Sequence, residues 1–324
     1  MTAQSIQKSI KNKSHSPFRG LGLCYACLFM MVLFFKNSSA ASEWVSKGLK
    51  ICVTKLIPSL FPFMVLSSIA IFCKIGRLIP KCVQGLFAKC FGVGGDGACA
   101  IALGWICGFP IGARCAVELL RENIIDAREY KKLVCISSTP SPAFLIGAVG
   151  KGMLGDTGVG VLLYLISLLS STASGIILSR IIKTSPCVQG THQGTDKVPL
   201  SKAFSSAVSQ SAMGMLSICG FVVFFCAFLG ALESIAISFG ASEYATAVMF
   251  SLFELTTALS KICSFSSVAT LPLCALAVGW SGFSVHFQTF SVCSGAPVGT
   301  SLYLGFHALR SVICLALSPL FMLL

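Results

Sequence analysis

Long apolar runs recur along this chain, and they decide what it can fold into. They fall at about 20–35, 51–73, 97–120, 133–154, 158–182, 212–235, 241–259, 268–293 and 302–324. A run of about 20 apolar residues, wound as a helix, matches the hydrocarbon thickness of a bilayer. Hydrophobic residues make up 55% of the chain and charged ones only 11%, against roughly 25% charged in an ordinary soluble domain. A soluble fold could not cover so much apolar surface. Lipid requires no such cover, because a spanning helix satisfies its own backbone hydrogen bonds. The expected fold is all-α, a polytopic membrane helix bundle of eight or nine apolar segments.

The net charge of +13 is confined to particular places. Of the 24 Lys and Arg residues only Lys202, Lys261 and Arg310 lie beyond position 200, and the others cluster between apolar runs. Basic residues at membrane edges follow the positive-inside rule, so the charge does not call for a nucleic-acid partner. Lys8, Lys11, Lys13 and Arg19 precede the first run, and Ser38-Ser39-Ala40 follows it. That is a signal peptide's layout, read here as an uncleaved signal anchor because further spans follow, with residues 1–16 cytoplasmic. Most of the 17 cysteines sit inside apolar runs, where thiols behave as small hydrophobes. Cys24 and Cys27 have CxxC spacing without a second pair or a nearby His, so no metal or cofactor is expected.

Several runs are broken from within. Pro58 and Pro62 interrupt the second, Gly108-Phe109-Pro110-Ile111-Gly112-Ala113-Arg114 the third, and Ser137-Ser138-Thr139-Pro140-Ser141-Pro142 opens the fourth. Non-helical backbone at membrane depth is tolerated only where it is buried in protein or lines a wet cavity. Broken helices and re-entrant hairpins of this kind mark solute sites in secondary transporters. A polar stretch at 183–202 divides a first half, 44–182, from a second, 203–324, after a basic N-terminal segment at 1–43. An internal echo points to two related halves. Gly104-Trp105 and Gly108-Phe109 are matched by Gly279-Trp280 and Gly282-Phe283, with Arg114 and Gln288 each six residues after the second glycine.

Ionisable groups inside spans are costly, about 2.5–3.5 kcal/mol each at a helix centre on insertion scales, and so are informative. Arg114 follows the Gly-Phe-Pro break and carries a fixed cationic fork suited to a carboxylate or phosphate. Glu254 lies mid-run with Thr257 and Lys261 on its helical face; it suits a coupling cation, a proton or a donor group on a solute. The bland alternatives are that Arg114 snorkels to the interface and that Glu254 pairs with Lys261 or Arg310. Ser284 and Gln288 share a helix face while His286 points away. The charges at Glu118, Glu122, Asp126 and Glu129, interleaved with Arg121, Arg128, Lys131 and Lys132, read as a solvated helix face. No phosphate loop, paired-His zinc motif or GxSxG elbow is visible, so an enzyme is not expected.

The segments LIPSLFPFMVLSSI, GWICGFPIGARCAVELL, SSTPSPAFLIGAVGKGMLG, FELTTAL and GWSGFSVHFQ, in this order, resemble the YlbJ-type family of sporulation integral membrane proteins, the stage V sporulation dipicolinate transporters. That family carries the nucleoside-recognition (Gate) domain. The resemblance runs from about Trp44 to the C-terminus. It implies a transporter that moves dipicolinate across the outer forespore membrane of a sporulating cell. Carried over by position, Gly108, Pro110, Gly112 and Arg114 match one block, Glu254 and Thr256 the acidic motif, and Ser284 and Gln288 the last block. Where relatives have an Asn-x-Ser-Gly-Pro-like turn, this chain has Ser138-Thr139-Pro140-Ser141-Pro142-Ala143, a departure that bears on the solute contacts of that hairpin.

The expected solute-binding set is therefore Gly108, Phe109, Pro110, Gly112, Arg114, Ser138, Thr139, Ser141, Glu254, Thr256, Thr257, Ser284 and Gln288. The expected partners are a small anionic or heterocyclic solute, the lipid bilayer and a coupling cation or proton, in a chain compatible with an oligomer. Dipicolinate comes from the resemblance alone. A nucleoside-type transporter and a non-transporting scaffold for spore envelope assembly are the alternatives.

Overall fold

The computed structural model describes residues 17–72, 80–184, 200–265, 267–296 and 298–319. The basic stretch at 1–16 and most of the polar linker lie outside them. Every regular element among the described residues is helical. Helix α1, Pro17–Lys36, meets α2, Ser38–Ile51, at Asn37, whose side-chain amide donates to Leu33 O at 3.1 Å. A wide turn, Cys52–Leu56, joins α2 to α3, Ile57–Phe72. It stands just before Pro58, which has no N–H for the carbonyl four residues back. Then come α4, Lys81–Phe91; α5, Gly95–Cys107; α6, Ile111–Arg121; α7, Ala127–Ser137; a wide π-type helix, α8, Ala143–Leu154; and α9, Thr157–Ile181. The second half holds α10, Leu200–Ser238; α11, Glu243–Phe253; α12, Leu255–Ile262; α13, Thr270–Trp280; α14, Gly282–Val292; and α15, Thr300–Leu317.

Five helical stretches among the described residues are long and apolar enough to cross a membrane, or six if the bent pair α4 and α5 counts as one span. The eight or nine apolar segments exceed this because the third, fourth and seventh are each cut into two short helices and the first gives a shorter apolar helical stretch, Cys24–Lys36 of α1. The chain is a multi-pass integral membrane protein. Its exposed surface is accordingly apolar: Leu21, Phe29 and Phe35 on α1 and Met213 and Leu216 on α10 face outward.

The order of elements repeats. A long helical stretch (α2–α3, then α10) precedes two broken pairs (α5/α6 and α7/α8, then α11/α12 and α13/α14) and a closing helix (α9, then α15). The Gly-Trp echo falls on α5/α6 and α13/α14, which hold different places in that order. Element order, not the echo, carries the repetition.

Close helix approach depends on small residues, as is usual where lipid supplies no hydrophobic drive. Gly48 of α2 sits against Cys226 of α10, and Gly230 of α10 lies under the Trp44 ring. Gly150 and Gly160 let α8 and α9 touch at the backbone: a Cβ on Gly150 would stand 2.7 Å from Gly160 Cα. Ser171 of α9 donates to Ile136 O of α7 at 3.0 Å, and Ser170 meets Cys314 of α15 at 2.9 Å.

One sequence expectation needs correction here. Glu129 and Lys132 are not on a solvated face; each is 1% exposed. Helices α4 and α5 meet at 91°, which strands backbone groups at the corner. Lys132 Nζ donates to Phe91 O at 2.7 Å and Gly92 O at 3.2 Å, while Glu129 accepts from Gly94 N at 2.8 Å. Two charges on one helix thus satisfy both sides of the bend, while Glu118, Arg121, Glu122 and Arg128 stay exposed.

Candidate solute site

Four helix breaks meet in two crossings. In the first half, α5 ends at Gly108 (φ +78°), and the cis Phe109–Pro110 bond leads into α6. Phe109 N donates to Thr139 O at 3.0 Å, so this break lies on the one between α7 and α8. The approach requires glycine. A Cβ on Gly108 would stand 2.8 Å from Ser141 N, and Gly104 and Gly112 both press on Ser137.

In the second half the chain is extended at Glu254 (φ −141°, ψ 115°) between α11 and α12. Ser281 (φ +76°) separates α13 from α14, which opens at Gly282 (φ +80°). A Cβ on Gly282 would lie 3.1 Å from both Leu255 N and Phe253 O. This is therefore also a backbone-on-backbone crossing, made where only glycine fits.

Glu254 is 1% exposed and caps α12. Its carboxylate accepts from Thr256 N at 3.0 Å, Thr257 N at 2.5 Å and the Thr257 hydroxyl. The positive end of α12 and these donors offset the cost of burying the carboxyl group. Neither expected salt-bridge partner is used. Lys261 pairs with Glu233 of α10, which also accepts from Trp44 Nε1 at 2.9 Å.

Arg310 of α15 is fully buried and joins the two crossings. Its guanidinium donates to Ser138 O at the first-half break. It also donates to Gly279 O at 2.9 Å, Val278 O at 3.0 Å and Ser281 Oγ at 2.7 Å at the second. The charge is thus held by carbonyls left open at helix C-termini. Beside it, His286 and His307 lie fully buried with ring centroids 4.9 Å apart, packed on Tyr303 and Trp280.

A narrow cavity, part of it open, lies where the crossings face each other. Gly108, Phe109, Ser141, Glu254, Thr256 and Gln288 line it, with apolar side chains from α3, α8 and α10. The Gln288 amide donates to Ser284 Oγ at 3.4 Å, one turn earlier on α14. Glu254 is the single ionisable acid or base on the cavity's described wall besides the Cys107 thiol, and no Lys or Arg lines it.

The expected residues separate into three groups. Six line the cavity, as given above. Pro110 and Arg114 line a second, wider space, a vestibule shared with Arg121, Glu118, Gln210 and Ser68. Arg114 donates there to the Gln210 side chain of α10. The remaining five support the breaks. Gly112 packs on Ser137, and Ser138 Oγ donates to Val134 O at 2.6 Å. Thr139 lends its carbonyl to Phe109, Thr257 holds Glu254, and Ser284 holds Gln288. Sequence reasoning missed the role of Arg310, because its partners are carbonyls with no side-chain signature. A lone arginine in an apolar run was the one signal.

The chain is 27% identical over 306 residues, covering 84% of its length, to the sporulation integral membrane protein YlbJ of Bacillus subtilis, 75% of which is aligned. No protein-family model and no solved structure matches it.

Proposed function

We propose, from the chain's membership of the YlbJ-type family of sporulation integral membrane proteins, that it is a transporter of a small anionic or heterocyclic solute. One observation carries this reading: two backbone crossings of broken helices face one cavity that holds a buried carboxylate, an amide and aromatic walls. Such breaks are costly in a membrane unless they are buried in protein or line a cavity, and in secondary transporters they mark the solute site. The reading takes Arg114 and Arg121 as the entry that attracts an anion. Glu254, Gln288 and the backbone around Gly108 and Ser141 then make the inner contacts, with Phe109 and Phe144 as a slot for a flat ring.

Dipicolinate is the solute we propose, with the outer forespore membrane as the setting. It is a flat aromatic dianion, and the inner cavity presents Glu254 and no cationic side chain. Two like charges at close range in a low-dielectric site repel strongly. Dipicolinate would therefore enter the cavity with protons or a cation that offsets Glu254. The same wall favours a second reading, a neutral nucleoside-like heterocycle whose N–H or O–H groups donate to Glu254.

The test is uptake into vesicles containing the purified protein, with labelled dipicolinate and labelled uridine supplied separately. Saturable dipicolinate uptake, lost in Glu254→Ala and not competed by uridine, supports the first reading. Uridine uptake competed by other nucleosides supports the second. Uptake of neither by inserted, folded protein removes both and brings the scaffold role forward.

A further inference from the structure

The cavity and the vestibule have one wall residue in common, Met64 of α3. Every other element that lines both passes from one space to the other within about a turn. On α3 itself, Leu60, one turn before Met64, faces the cavity and Ser68, one turn after it, faces the vestibule. At the first break the lining changes from Phe109 to Pro110. On α10 it changes from Ile218 to Gly214. The two spaces are therefore neighbours, and the side chain that borders both is a thioether.

We infer that Met64 is the gate between the vestibule and the inner cavity. The inference rests on the transporter reading for its biological meaning, but its geometry stands without it. Met64 is nearly buried, with its methyl end seated over Gly214: a Cβ on Gly214 would lie 2.9 Å from Met64 Cε. The missing side chain at Gly214 gives the thioether somewhere to lie. An unbranched side chain with three rotatable bonds can swing aside without moving a helix, and rotamer changes are fast compared with hinge motions. Arg114 and Arg121 gather the solute outside this point, while Glu254 and Gln288 meet it inside.

The gate can be read without any solute. Cys107 lines the inner cavity and is half-buried, so a small cationic methanethiosulfonate that enters by the vestibule passes Met64 to reach it, while the cavity's own opening sets a background rate that substitutions at Met64 leave unchanged. The reagent forms a mixed disulfide with the thiol and releases methanesulfinate. Labelling of full-length protein in membrane vesicles is followed by the mass of the Cys107 peptide, with exposed Cys82 on α4 as the reference site. Met64→Ala should raise the Cys107 rate by about tenfold relative to Cys82, and Met64→Trp should lower it about as much. Gly214→Ala, which pushes the thioether off its seat, should also change the rate, with Met64 itself intact. A misfolded variant cannot produce opposite shifts from two substitutions at one position. Equal Cys107 rates in wild type, Met64→Ala and Met64→Trp would overturn the gate. Shifted rates in a protein that takes up no solute would keep the gate and count against the transporter reading instead.

Discussion

Arg310 donates a hydrogen bond to the carbonyl of Ser138, 172 residues earlier in the chain, and so ties the breaks of the two halves together. The remaining guanidinium bonds go to Val278, Gly279 and Ser281. One buried cation thus fixes the spacing of the two crossings that frame the cavity.

Arg310→Ala should therefore act on stability before it acts on any solute. It leaves three buried carbonyls without this donor, each worth about 1–3 kcal/mol. The expected outcome is a large fall in the melting temperature of detergent-purified protein. Arg310→Lys should recover only part of it, because an ammonium lacks the planar fork that reaches both breaks.

Gly282→Ala should fail for a different reason. Its φ is +80°, and the added methyl would press on Leu255 N and Phe253 O across the second crossing. Gly220 of α10 has open space around it and ordinary helical geometry. Gly220→Ala should be neutral or stabilising by up to about 1 kcal/mol. Thermal unfolding of the two variants side by side separates a required glycine from a tolerated one.

These features differ in how far they could be read from the chain. The breaks at Gly108–Pro110 and Ser138–Ser141 were legible because proline and glycine alter the backbone locally. The break at Glu254 was not. No proline or glycine marks it, so the residue reads as a charge within a continuous helix, and Lys261 falls on its face by helical counting. The chain is instead extended at Glu254, α12 begins at Leu255, and Lys261 meets Glu233 of another helix. The roles of Glu129 and Lys132 were hidden for a related reason. Periodicity shows that they share a helix face, but not that the α4–α5 bend needs partners there.

Glu254 has two duties that substitutions can divide. Glu254→Ala removes the cap of α12 as well as the charge, and a lost cap costs about 0.5–2 kcal/mol. Glu254→Gln keeps an acceptor for Thr256 or Thr257 and removes only the charge. The expected result is near-normal thermal stability with solute uptake reduced by at least about tenfold.

Arg114 should behave otherwise, since it lines the open vestibule and bonds to Gln210. Arg114→Ala should leave the melting temperature nearly unchanged and raise the KM for an anionic solute. The wild-type advantage should shrink as salt is added, because exposed charges are screened beyond about 8–10 Å at physiological ionic strength. Uptake kinetics at two salt concentrations check this directly.

The most direct measurement is dipicolinate uptake by vesicles carrying the purified full chain, wild type against Glu254→Gln. Saturable uptake in the wild type, lost in a variant that melts normally, is the predicted result. Equal uptake by the two proteins would contradict the account, because the buried carboxylate at the helix crossing would then take no part in transport.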